Sequence, residues 1–467
     1  MFGINSEKLW PILPSVHIEF IGVSAQLHES GFVLHGLGIR IGVLGKNREI
    51  VLGCALAGAA SMSFTQSGKR RIYLDHNATT PVDGEVLARL SSWAMEWGNP
   101  SSIHVFGRGP KTRLREARDA VARALGCSPL EVVFTSGGSE ANNLALKGAM
   151  SAARARGDQR RHILISALEH PSLKRAAMSL VRDFNAEVEV IPVDRSGRVK
   201  LEDVQSRLRP GQTLLVSVML ANNETGVVQP VREIAQIVHA AGALLHTDAV
   251  QALGKMPFNL RELDVDLASF AAHKFYALKG AGALYHRKSV PLDALIDGGG
   301  QERFRRGGTE NLLAISAFGY MCTRIGEVAE RAEHMRALRD AFESQVRERI
   351  SSVSITAGES PRLPSTSSLV IPGVDGETLL MALDMDGFAV STGAACSSGS
   401  PEPSPVLLAM GLSRDEAQAS LRVGLGWSTT AAEIAEFVDS LVRVVERLRG
   451  LRGFQVEESK AQAVEHA

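Results

Sequence analysis

The sequence of 467 residues has no charge imbalance: 51 lysines and arginines offset 51 aspartates and glutamates. That balance removes any broad electrostatic pull toward nucleic acid or acidic membrane surfaces and leaves only local patches. Cysteine is scarce too, with Cys54, Cys127, Cys322 and Cys396 forming no Cys-x-x-Cys pair. So few thiols exclude a disulfide framework and fit a reducing, cytoplasmic compartment. No apolar run approaches the roughly 20 residues that span a bilayer, because Arg40, Lys46, Arg48 and Glu49 interrupt the one candidate region. Internal repeats and low-complexity linkers are lacking as well. What remains is a chain of mid-range apolar content, long enough for a large core and more than one domain, with no expected membrane or direct nucleic-acid partner.

The N-terminal 71 residues read as an extension of uncertain status. Ile50 to Ala60 is apolar and ends in small residues, which resembles a signal-peptide core or, around Cys54, a lipoprotein site. Its distance from the start and the charges directly before it argue against export. Met62 opens a short polar stretch that runs straight into a strand, so it is an alternative start. From about residue 85, helix-period segments alternate with short β-branched runs, the pattern of a mostly parallel sheet covered by helices. Strands are expected at Glu131–Thr135, His162–Ser166, Glu187–Pro192, Thr213–Met219, Ala243–Thr247 and Asp266–Phe270. In such an α/β fold functional residues gather at the C-terminal strand ends. Beyond about residue 325, a charged helix at Glu333–Ile350, a strand at Ser367–Ile371, a helix at Thr378–Met385 and a strand before Ser391 suggest a smaller α+β domain. The expected division is a large domain over 85–324, a small domain from 72–84 and 325–452, and a polar tail at 453–467.

Four segments carry chemistry. Phe134-Thr-Ser-Gly-Gly-Ser-Glu-Ala-Asn-Asn is a strand, a glycine turn and a helix start, which aims free N–H groups at one point and suits an anion. A plain structural connection is the competing reading. Asp248 follows an apolar strand, with Gln251 three residues on; it either holds a pyridinium nitrogen or caps the next helix. Lys274 sits in a small-residue turn after another strand, where an apolar pocket would lower its pKa and leave a nucleophilic amine; a solvated surface lysine is the alternative. Finally, Ser391-Thr-Gly-Ala-Ala-Cys-Ser-Ser-Gly-Ser-Pro-Glu-Pro-Ser sets one thiol, Cys396, in a run of small residues suited to a mobile arm.

Taken in order, Tyr73-Leu-Asp-His-Asn-Ala-Thr-Thr-Pro, Gly98-Asn-Pro-Ser-Ser-Ile-His, Thr135-Ser-Gly-Gly-Ser-Glu, Glu169-His, Asn222-Asn-Glu-Thr-Gly, Asp248-Ala-Val-Gln, His273-Lys274 and Arg306-Gly-Gly-Thr-Glu-Asn resemble the class V, fold-type I enzymes that use pyridoxal 5'-phosphate (PLP). The closest resemblance is to the cysteine desulfurases, and the segment around Cys396 is similar to their long-loop, nitrogen-fixation and iron–sulfur-cluster type. It runs from about Ile72 to about Arg449. This resemblance implies that Lys274 carries PLP, Asp248 pairs with its ring nitrogen and Gln251 reaches its phenolic oxygen. Asn223 would contact cofactor or substrate, and His170 would stack on the ring and move protons. Gly138, Ser139 and His273 would hold the phosphate, joined by Thr309 from the other subunit of a homodimer. Arg422 would grip the carboxylate of L-cysteine as a fork, against the alternative of a structural salt bridge. Cys396 would take the sulfur as a persulfide, leave alanine, and pass the sulfur to an acceptor protein such as an iron–sulfur scaffold or a thiolation protein. No intrinsic metal is implied, although Cys396 would be able to ligate a nascent iron–sulfur cluster.

Some positions depart from that pattern. Ala271 stands where a phosphate-binding serine is usual and Ala272 where glycine is usual; Ala277 and Leu278 replace Gly-Pro, and Trp427 replaces an arginine. One lost hydroxyl to an anion costs roughly 1.5–3 kcal/mol of cofactor binding. These departures keep two alternatives open: a related PLP lyase or aminotransferase, for example on selenocysteine, and a non-catalytic scaffold.

Overall fold

The computed structural model describes residues 70–393 and 402–452, together with the backbone of three short strands nearer the N-terminus. Two compact units divide the chain, Met1–Met62 and Ser63–Ala467. In the first, Ile18–Phe20, Val23–His28 and Gly31–His35 form an antiparallel sheet. Cys54, Cys396 and the polar tail lie outside the described residues.

In the second unit a seven-stranded sheet runs in the order Val132–Thr135, Gly282–His286, Leu267–Ala271, Leu244–Asp248, Thr213–Ser217, His162–Ser166 and Glu187–Ile191. All six strands expected from the sequence are present, each within two residues at its ends. The strand Gly282–His286 was not expected, and it is the one antiparallel member, paired with Leu267–Ala271 and Val132–Thr135. Its Gly-Ala-Leu-Tyr-His sequence is weakly β-branched, and fully buried strands do not alternate, so the local pattern conceals it. Five of the seven strands bury every residue, because helices cover both faces. One covering layer includes Val105–Leu125 and Leu312–Thr323. Their backbones approach so closely that a Cβ on Gly319 would stand 2.5 Å from Ala117 Cα. Among the described residues no single helix is long and apolar enough to cross a membrane.

A second, three-stranded antiparallel sheet orders Ser354–Ile355, Thr366–Val370 and Ser420–Gly424. The helices Val328–Arg349, Gly376–Asp386 and Ala431–Arg452 close a separate core there, in which the Phe342, Phe388 and Phe437 rings meet. Ile72–Tyr73 pairs in parallel with Phe388–Ala389, and the chain then crosses beside Gly424 on its way to the large sheet. That crossing brings Asp75, His76 and Asn77 to the seam between the two sheets.

Candidate active site

The C-terminal ends of the large-sheet strands and the segments after them carry Gly138, Ser139, His170, Asn223, Asp248, Gln251, His273 and Lys274; Thr309 and Arg422 lie elsewhere. Asp248 ends its strand, only 4% exposed. Its Oδ1 accepts the Val250 N–H at 3.0 Å and its Oδ2 accepts from Asn142 Nδ2 at 2.8 Å. The first bond is a local turn of the capping kind. The second ties the carboxylate to the helix opening at Gly138 and leaves acceptor capacity on both oxygens. Next to it, the turn after Leu267–Ala271 carries His273 and Lys274. The Lys274 amine donates to the backbone carbonyls of Asn77, at 2.6 Å, and Ala78. It therefore faces inward across the seam, in contrast to a solvated surface lysine.

His170 caps the helix Pro171–Phe184, with Nδ1 accepting the Ser172 N–H at 3.1 Å and lying 2.8 Å from Ser172 Oγ. Burial lowers its pKa below the ordinary histidine range; the Asp248 carboxylate opposes that shift and the Lys274 cation adds to it. Both charges thus act on this ring. His273 is pushed down to about 4, first by burial and then by Lys274, Lys279 and Lys255. It stays neutral at physiological pH, with Nδ1 3.1 Å from Thr79 Oγ1.

Gly138 and Ser139 open the helix Gly138–Asn143, whose N-cap Gly137 provides no side-chain cap. The first-turn N–H groups have no intrahelical acceptor, which is the donor set an anion needs. A Cβ on Gly138 would come within 2.8 Å of Val250 Cγ2 and 3.6 Å of Ala271 Cβ, so glycine is required for the close approach and Ala271 borders the cradle. Thr309 lies exposed on a loop anchored by Arg306, which bonds Glu140 of the cradle helix at 3.0 Å.

Arg422, 2% exposed, donates to Asp75 Oδ1 at 2.8 Å and to the Asn223 carbonyl at 3.2 Å. The salt-bridge reading is realised here, yet the buried Nε has no partner among the described residues. Asn223 contributes its carbonyl to this cluster, which also accepts from Asn77 Nδ2 at 3.1 Å. Gln251 donates through Nε2 to the Asn77 carbonyl at 2.9 Å.

Sequence reasoning missed three buried ionisable groups. Lys255 donates to Gln251 Oε1 and to Asn77 Oδ1, and burial beside the Lys274 and Arg422 cations lowers its pKa well below the usual lysine value. Glu169 accepts the Met219 N–H at 2.6 Å and the Ser166 hydroxyl at 2.9 Å; burial, with Asp248 nearby, pushes it up to about 8. Burial likewise raises Glu224 to about 7, and it accepts from Ser404 Oγ. Glu169 and Glu224 lie within the Glu169-His and Asn222-Asn-Glu-Thr-Gly motifs and Lys255 four residues beyond Gln251, but no period or motif spacing marks an ionisable side chain as buried. Of the other thiols, burial pushes Cys127 up to about 12 and raises Cys322 as well, which leaves both protonated at neutral pH.

Trp427 turns inward. Its ring stacks on Tyr276 at 4.3 Å, carries the Arg331 guanidinium 3.6 Å above its centroid, and donates Nε1–H to the Gly254 carbonyl at 3.2 Å. This departure from the family pattern is therefore accommodated by packing.

Residues 72–437 match the family described as Aminotransferase class-V. The chain is 42% identical over 391 residues to a protein named cysteine desulfurase IscS from Dictyoglomus turgidum, covering 83% of this chain and 98% of that one. It is 43% identical over 394 residues to a cysteine desulfurase of Cereibacter sphaeroides, covering 84% and 100%. A solved structure described as a NifS-like protein superposes with a TM-score of 0.74 at 37% identity, covering 81% of this chain and all of the other. With a cradle, a buried acid and an inward lysine at the strand ends and these relatives over most of its length, the chain belongs to the class-V aminotransferase family and, within it, to the cysteine desulfurases.

Proposed function

We propose that this chain converts L-cysteine to L-alanine with Lys274, Asp248 and His170 as its catalytic core and Cys396 as the first sulfur acceptor. The observation that carries the reading is that Asn142 bonds both Asp248 and Ser172, the partner of His170, from the uncapped helix start, while Lys274 turns inward from the adjacent strand end. The residues present fit PLP: Asp248 retains lone pairs for a ring N–H, the Gly138–Ser139 turn offers donors to a phosphate, and the Lys274 amine turns inward toward the Asn77 and Ala78 carbonyls. Bound PLP supplies an electron-accepting ring that takes up the pair left when the substrate loses its α-proton.

The chain's own groups do the rest. Lys274 would hold the cofactor, and its free amine would be the base for the substrate α-proton. Asp248 would hold the ring nitrogen of the cofactor protonated, and His170 would relay protons beside it. Arg422 and Asn223 orient the substrate carboxylate, with Asp75 holding the guanidinium in place meanwhile. In the net transfer the Cβ–S bond of cysteine breaks, a new S–S bond joins that sulfur to Cys396, and the thiol proton is retained in the products, alanine and persulfide. Cys127 and Cys322 are too strongly protonated to compete.

The same proposal includes a cytoplasmic homodimer in which Thr309 completes the partner's phosphate site. It also includes an acceptor protein serving iron–sulfur cluster, thio-cofactor or tRNA synthesis. The boundaries at 72–84, 85–324 and 325–452 belong to it as well, supported by separate cores around the two sheets.

Purified protein is expected to show a visible cofactor band and to release sulfide and alanine in equal amounts from L-cysteine with a reductant. Lys274→Ala should lose the band and both products; Cys396→Ala should keep the band and lose sulfide. A folded protein that is colourless and inert would move the reading to a non-catalytic scaffold, and activity confined to selenocysteine would move it to a lyase.

A further inference from the structure

The turn that follows Asp248 places two long side chains four residues apart, Gln251 and Lys255, both inside the protein. The Lys255 side chain belongs to a residue only 3% exposed, and among the described residues no carboxylate lies within ion-pairing distance of it. Asp75, the nearby acid, is paired with Arg422. An amine placed in the interior without a counter-ion is costly, so its two hydrogen bonds are the interactions that hold it. Both go to side-chain amide oxygens: Gln251 Oε1, and Asn77 Oδ1 at 3.3 Å.

An amide side chain has two nearly isosteric orientations, one offering oxygen and one offering N–H to a given neighbour. At Gln251 two contacts choose between them. The Lys255 amine donates to Oε1, and the Asn77 carbonyl, which has only acceptor atoms, takes Nε2–H at 2.9 Å. A flipped amide would set N–H against the amine and oxygen against the carbonyl. That same Asn77 carbonyl accepts the Lys274 amine at 2.6 Å, so the arrangement lies directly under the lysine that carries the cofactor.

We propose that Lys255 is a positioning residue that fixes the Gln251 amide with its N–H side toward the phenolic oxygen of PLP. The proposal rests on the desulfurase reading and adds what selects the donor. A donor at that oxygen stabilises its anionic form and lowers its basicity, so the pH at which the cofactor band interconverts depends on Lys255 although Lys255 does not touch the cofactor.

The test is a spectroscopic pH titration of holoprotein, with melting temperature and PLP dissociation constant measured alongside. Lys255→Met is expected to raise the midpoint of the visible band by roughly one pH unit, the scale of one lost hydrogen bond. Placed on Gln251→Met, the same substitution should produce no further shift, because the donor it aims is already gone. A folded Lys255→Met with the wild-type midpoint, or one that shifts the Gln251→Met midpoint equally, overturns the proposal. If Lys255→Met does not fold, Lys255→Ala is read in its place; failure of both assigns the lysine to the core alone and also overturns it. Wild-type protein with no visible band would instead defeat the desulfurase reading itself.

Discussion

At the scale of single residues, the site shows how a sequence departure becomes a measurable quantity. Ala271 ends a fully buried strand, and its Cβ lies 3.6 Å from where a Gly138 side chain would begin, so a hydroxyl there would border the helix start proposed to hold the phosphate. Ala271→Ser is therefore expected to tighten PLP binding by roughly tenfold or more, the range for one hydrogen bond to a charged group. Titration of apoprotein with PLP, followed by absorbance, checks this; an unchanged dissociation constant would mean the added hydroxyl finds another partner. The positions of Lys274, Asp248 and His170 were legible as motifs, because each stands next to a strand end in a local pattern of fixed residue types. Lys255 was not, since an interior lysine looks like any other lysine until the surrounding chain is in place.

Among elements, the seam between the two sheets decides the site. The segment Asp75–Thr80 crosses it, and its carbonyls and side chains meet Arg422 from the small sheet and Lys274 and Gln251 from the large one. Trp427 secures the same seam, lying between Tyr276 and the Arg331 guanidinium of the helix Val328–Arg349. Trp427→Ala should cost about 3 kcal/mol, combining a half-buried aromatic with one cation–π contact. Denaturant unfolding with PLP bound provides the measurement; a loss below about 1 kcal/mol would show that the ring contributes little to the junction. The antiparallel strand Gly282–His286 belongs to this scale as well. It wedges between Val132–Thr135 and Leu267–Ala271 and so sets the spacing between the cradle turn and the Lys274 turn.

For the whole molecule, buried ionisable groups set the pH range of stability. Glu169 and Glu224 have folded pKa values of about 8 and about 7, raised from an unfolded value near 4.5. The folded chain then binds protons that the unfolded chain has released, so their stabilising contribution is complete below about pH 4.5 and is lost as pH rises through 7 to 8. His76 and His246, lowered to about 3, and His273 and His286, lowered to about 4, act in the opposite sense. Their contribution is present above about pH 6.5 and is lost as pH falls toward 3. Stability should thus decline on both sides of mildly acidic pH. Glu169→Gln is expected to melt higher than wild type at pH 8, with the difference shrinking to nothing by about pH 4.5. Calorimetric scans across that range decide it, and parallel pH profiles for the two proteins would contradict the assignment.

By itself the sequence determined the α/β class, six of the seven strands in the main sheet, and the family whose motifs the chain carries. Those follow from local causes: apolar runs of strand length, glycine turns at strand ends, and residue types that a given reaction demands. Tertiary structure alone decided which way Arg422 and Gln251 are held, that Trp427 packs inward, and that Lys255, Glu169 and Glu224 are buried. The physical reason is that burial and hydrogen-bond partnership depend on segments far apart in the chain, such as Asn77 against Lys255 or Asp75 against Arg422. No local pattern encodes those distances.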